Sequence, residues 1–265
     1  MGEAFDRFCT PVQLERRKAS AGRLERIALD LPFGRLSAVA GGPADGPPAL
    51  LVHGWNSQAE FFLPLIAACV RQGLRTYAFD MPAHGQTRDA NPSKPTSTLP
   101  EWVETLIHAT AALGVEAWQG VVAHSFGALA AGCAQGRRPW AQTPPLKARS
   151  MVMIGGAAGM PTVIDSYVRA NPGIDPSDVA DIVAGVEAAC AVPLAQITLA
   201  LAAAALPSRL LLIHDPADDI TRLADLKSVL AAHPASEEML RPGAGHDGIL
   251  FQLEVGRAAA KFAAG

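Results

Sequence analysis

Short apolar runs recur along the chain, each stopped by a polar residue or glycine, and most are followed by a segment of helical spacing. "RLERIALDLPFGRLSAVAGG" reads as two strands joined near "PFG". "ALLVHG", Ala49 to Gly54, has the continuous apolar character of a strand buried on both faces. "SQAEFFLPLIAACVRQG" reads as a helix ending at Gly73, and "LRTYAFD" as the next strand. "STLPEWVETLIHATAALG" is a helix with Pro100 in its first turn and Gly114 past its end. Strand "AWQGVVAH", helix "FGALAAGCAQGRR" and strand "ARSMVMIGG" follow. The alternation lapses from Ala157 to Ser208. It resumes with strand "RLLLIHD", helix "RLADLKSVLAAH", the short strand "SEEMLRP" and a last helix in "DGILFQLEVGRAAAKFAAG".

Alternating strands and helices predict an α/β fold, a mostly parallel central sheet with helices on both faces. Residues 1–156 and 209–265 form its core, and 157–208 form a helical insertion between two strands. "AACAVPLAQITLALAAAALP", Ala188 to Pro207, approaches the roughly 20 apolar residues of a membrane span. It is mostly alanine and is split by Pro193, so two helices packed on the protein are expected, with Pro193 opening the second.

Composition narrows the classes. With 49% hydrophobic and 18% charged residues, a sizeable core is expected. A formal net charge of −3 leaves no basic field to gather nucleic acid or anionic lipid. The tightest basic cluster, Glu15 to Arg23, reads as a solvated helix face. Cys9, Cys69, Cys133 and Cys190 are widely spaced with no C-x-x-C, which speaks against zinc and redox dithiols. Reduced thiols and an opening segment without an apolar signal core give the expectation of a cytoplasmic protein. The glycine-rich stretches "GGPADGPP" and "GGAAG" lack phosphate-loop and dinucleotide spacing, so no cofactor and no metal are expected. Oligomeric state is not encoded in any pattern read here.

In open α/β sheets, ligands gather beyond the carboxyl ends of the strands. Ser125, in "VVAHSFGALAAG", sits between a strand and a helix. Two readings compete: a nucleophile lifted above the sheet on a tight turn, and a serine capping the helix. His124, Gly127 and the downstream partners favour the nucleophile. A serine needs a base to take its proton, and His246, in the glycine-rich loop "RPGAGHDGI" after the last strand, is the best placed of seven histidines. His124 adjoins Ser125 but is expected to point elsewhere. The base needs an acid to hold its tautomer, and "HDPADD" offers Asp215, Asp218 and Asp219 just past a strand.

Across nearly its whole length the chain resembles the α/β-hydrolase family, specifically serine esterase-like members with a helical cap. The resemblance runs through "LLVHGW", "AFDMPAHGQT", "AHSFGA", "IHDPADD" and "GAGH". It implies the chain order nucleophile, acid, base, and aligning "HDPAD" with the family's H-G-x-x-D selects Asp218 over its rival Asp219, with Asp215 in place of glycine. Ala123 and Ala83 likewise stand where the family has glycine. The resemblance also implies an oxyanion hole from the backbone N–H groups of Trp55 and Phe126 and a structural role for Asp80 and His84; backbone donors leave the Trp55 and Phe126 rings free to wall the pocket, with plain core packing the alternative for Trp55. The insertion corresponds to the cap, with Arg169 its only basic residue.

The expected activity is hydrolysis of small or medium apolar carboxylic esters, a small-molecule substrate, through an acyl-enzyme. Thioesterase, acyltransferase, C–C bond hydrolase and cofactor-free haloperoxidase are alternatives on the same scaffold. A ligand-binding homologue with slow turnover is the alternative from another class.

Overall fold

In a computed structural model of the chain, residues 2–12, 24–136, 138, 140, 143–203, 206 and 209–265 are described. The basic cluster from Glu15 to Arg23 lies outside them. The strands are β1 (Glu25–Leu31), β2 (Gly34–Gly41), β3 (Pro48–Val52), β4 (Arg75–Phe79), β5 (Gly120–His124), β6 (Ser150–Ile154), β7 (Arg209–His214) and β8 (Glu237–Leu240). The helices are α1 (Glu3–Phe8), α2 (Leu63–Arg71), α3 (Gly85–Ala90), α4 (Leu99–Ala112), α5 (Phe126–Gln135), α6 (Met160–Ala170), α7 (Pro176–Cys190), α8 (Leu199–Ala203), α9 (Leu223–Ala232) and α10 (Leu253–Ala264).

All eight strands join one sheet in the order β1-β2-β4-β3-β5-β6-β7-β8. β1, β2 and β4 pair antiparallel, and every pairing from β4 to β8 is parallel. The apolar runs are continuous because both faces of the parallel strands are covered. Alternate residues go to separate cores: Leu50, Val121, Met151 and Leu210 to one, Leu51, Val122, Val152 and Leu211 to the other. The second core lies under α2 and α10, the first under α4, α5, α8 and α9.

The predicted elements are found with shifted ends. α4 begins with a capping box, the Thr98 amide donating to Glu101 Oε2 at 2.9 Å. Pro193 does not open a helix. α7 ends at Ala191 in a left-handed turn, Pro193 caps a short 3-10 turn, and α8 starts only at Leu199. Among the described residues no helix is long and apolar enough to cross a membrane. α1 and α3 were not expected from the pattern. α1 packs on α7.

Candidate active site

Strand β5 delivers Ser125 to the carboxyl edge of the sheet. Its backbone, at φ 52° and ψ −125°, is a sharp turn that a non-glycine residue adopts only when its surroundings hold it there. The Ser125 amide donates to Ile154 O at 3.0 Å, and its carbonyl accepts from the amides of Ala128 and Ala157. The turn is tight because α5 starts against β3. A Cβ on Gly127 would sit 2.2 Å from His53 O and 2.7 Å from Val52 O. Ala123 is buried inside β5 and pairs with Val52 and Met153.

The Ser125 hydroxyl makes no capping bond to α5. It lies 2.9 Å from His246 Nε2, and His246 Nδ1 lies 2.7 Å from Asp218 Oδ2. The carboxylate keeps the imidazole proton on Nδ1, so Nε2 is left to accept from the serine. Burial pushes the Asp218 carboxyl up, but the His246 hydrogen bond and charge and the amides of Thr221 and Ile220 outweigh it and hold it below its ordinary value. Those amides donate to Oδ1 at 2.9 and 2.8 Å. Asp219 is exposed and takes no part. Its carbonyl accepts from Arg169, whose guanidinium also reaches Ile220 O and Asp165.

Three further residues support the relay: Thr221, which no sequence pattern singles out, His124 and Asp215. The Thr221 hydroxyl lies 3.0 Å from Asp218 Oδ2 and 3.1 Å from Gly155 O. His124 is turned toward the loop of His246. Its Nε2–H donates to the backbone carbonyl of His246 at 3.0 Å, and the two rings lie 4.8 Å apart. Burial, then the neighbouring His246 charge, lowers the His124 pKa to about 3. Asp215 joins two loops: Oδ1 accepts from the Ala217 and Gly243 amides at 2.9 and 3.3 Å, and Oδ2 from Gly245 at 2.6 Å. Its departure from the family's glycine was the one clue in the sequence.

Asp80 and His84 brace the loop that follows β4. Asp80 accepts the amides of Ala59 and Gln86, and His84 Nε2 accepts the amide of Asn56. Ala83 adopts φ 64°, the left-handed region that the family's glycine favours.

Trp55 and Phe126 flank the serine with their rings edge to face, 5.2 Å between centroids; Trp55 stacks on the buried Trp102, and Phe126 meets it edge to face. As the first residue of α5, Phe126 has an amide with no intrahelical carbonyl to bond. A cavity of about 520 Å³ opens beside Ser125 and His246, within the range of small-molecule sites. Apolar side chains of α6 and α7, among them Met160, Val163 and Val186, form much of its lining. Ligand atoms of His124, His246 and Asp247 lie within 4.8 Å of one another. They fit a metal poorly, because both His246 nitrogens face Ser125 and Asp218 and His124 Nε2 faces a carbonyl.

The chain is 32% identical over 114 residues to human serine hydrolase-like protein, covering 43% of this chain and 55% of that one. Human serine hydrolase-like protein 2 matches at the same identity, with 35% of its length covered. The chain thus spans about half or less of the curated relatives it matches. An esterase of Pyrococcus furiosus superposes with a TM-score of 0.71 at 15% identity over 96% of this chain and 97% of that one. A bacterial membrane phospholipase A superposes at 0.70 and 17% identity, over 90% and 85%. At these identities the likeness is one of fold. Residues 47–189 match the family described as alpha/beta hydrolase fold, and on that match the chain belongs to it.

Proposed function

We propose that the protein is a serine carboxylesterase acting on small or medium apolar esters through an acyl-enzyme. The observation that carries this reading is the unbroken relay from Ser125 Oγ to His246 Nε2 and from His246 Nδ1 to Asp218. Ser125 Oγ attacks the ester carbonyl as His246 takes its proton, and Asp218 stabilises the resulting imidazolium. The carbonyl oxygen becomes an oxyanion facing the backbone N–H groups of Phe126 and Trp55. His246 returns the proton to the departing alcohol. Water then enters, gives a proton to the same nitrogen, and releases the acid and the free serine.

In this reading residues 157–208 act as a cap over the core formed by 1–156 and 209–265. The four buried, unpaired cysteines support a reducing, cytoplasmic setting. Short p-nitrophenyl esters test the reading: wild type is expected to turn them over and Ser125→Ala is expected to lose at least about 1,000-fold in kcat. Equal rates would remove Ser125 from the chemistry. A fluorophosphonate, whose phosphorus bonds Ser125 Oγ as fluoride leaves, is expected to label folded wild type, and absence of labelling would favour a ligand-binding homologue.

A further inference from the structure

The cavity has a wall that belongs neither to the strand-end loops nor to the insertion. Phe5, Phe8 and Cys9, from the segment ahead of β1, line it together with Tyr167 and Cys190. This segment is fastened on both sides. Toward α7, the Phe5 amide donates to Asp181 Oδ2 at 3.1 Å and Arg7 pairs with Asp178 at 2.7 Å. The Phe5 ring fills the space that a Cβ on Gly185 would need, with ring atoms 2.3–2.9 Å from that position. The Phe8 ring packs edge to face on Tyr167 of α6, 5.1 Å between centroids. Toward the sheet loops, the Ser97 amide donates to Cys9 O at 2.8 Å, and the Val12 amide to Asn56 Oδ1 at 2.7 Å. Ser97 and Asn56 also line the cavity. A six-residue helix has little stability of its own. Here its two aromatic rings are held against the cavity by contacts from residues more than 150 positions downstream.

We infer that the Glu3–Val12 segment is a specificity element: Phe5 and Phe8 form a wall of an acyl-chain pocket and set the longest chain the site accepts. The inference rests on the esterase reading for its link to turnover. Its occupant is an apolar acyl chain, because every side chain the segment contributes to the cavity is apolar or a thiol and no cation is among them. Burial pushes the Cys9 thiol up to about 12, so it offers no charge to a substrate either.

The test is a pair of opposite substitutions at Phe8, which is only partly buried and so tolerates replacement. Phe8→Ala enlarges the cavity and Phe8→Trp shrinks it. With p-nitrophenyl esters from acetate to palmitate, the chain-length optimum is expected to lengthen in the first and shorten in the second. Each methylene newly accommodated is worth about fourfold in kcat/KM. The same shifts are expected without chemistry: in a Ser125→Ala background, saturated fatty acids of increasing length compete with bound cis-parinaric acid. A general loosening of the fold would not move the two variants in opposite directions. If wild type cleaves no ester, the esterase reading fails while the competition still reads the wall. If both variants keep the wild-type chain-length profile, or if cis-parinaric acid does not bind, the wall assignment is overturned. Should Phe8→Ala fail to fold, Phe8→Trp alone carries the test through its expected shortening.

Discussion

The carboxylate of Asp215 accepts the amide of Gly245 at 2.6 Å, one residue before His246. Because the same carboxylate accepts the amide of Ala217, it ties the loop bearing Asp218 to the loop bearing His246. The bond from the Ala217 amide, then that from Gly245, keeps the Asp215 carboxyl below its ordinary value. Replacing it by glycine is expected to lower kcat by up to about 100-fold with KM little changed, since a displacement near 1 Å costs on that order. Asp215→Asn keeps one accepting oxygen and is expected to fall between. Steady-state kinetics decide it; an unchanged kcat in Asp215→Gly would show that the loops hold their places unaided.

Neighbouring acids separate cleanly. Asp218→Asn is expected to cost about 10⁴-fold in kcat, because an amide cannot hold the imidazole in the right tautomer. Asp219→Asn, at an exposed position whose backbone carbonyl accepts from Arg169, is expected to stay near wild type. The reverse order of rates would transfer the acid role to Asp219.

Three histidines make stability depend on pH. Burial lowers His53 to about 4, and lowers His84 and His124 to about 3. His53 is satisfied as a neutral ring, its Nδ1–H donating to Gly54 O and its Nε2 accepting from Met81. All three folded values lie below the unfolded value of about 6.5. The unfolded chain therefore takes up protons that the folded one refuses as pH falls below about 6.5, and stability falls until the folded values are reached. Each histidine contributes about 1.4 kcal/mol per pH unit over that window. Urea unfolding at pH 7.5, 6 and 5 checks this; a flat stability across that range would contradict it.

Gly127→Ala is expected to cost about 1–3 kcal/mol, because its Cβ meets two backbone carbonyl oxygens that cannot rotate away. At roughly 3 °C per kcal/mol for a chain of this size, a thermal melt resolves it. A melt unchanged from wild type would mean that α5 shifts away from β3 freely.

Much of this architecture is visible in the hydrophobic pattern because parallel strands buried on both faces leave unbroken apolar runs, as in β5 and β7. Ser125, Asp218 and His246 stand at strand ends, where polar residues after apolar ones attract notice. Less was readable where meaning comes from distant partners. "EAFDRF" has no helical period long enough to register, and α1 owes its place to Asp178 and Asp181. Asp215 reads locally as a turn former; its bonds to Gly243 and Gly245 appear only once β7 and β8 lie side by side. Choosing Asp218 over Asp219 needed a family pattern, because adjacent carboxylates after a strand look alike until burial separates them.

The bond from Ser125 to His246 joins positions 121 residues apart. Between them lie β6, β7 and β8, each of which must dock in register before the imidazole arrives. Contacts this remote along a chain form late, after local pieces have settled. During refolding, labelling of Ser125 therefore reports the finished molecule, with the sheet closed as far as β8.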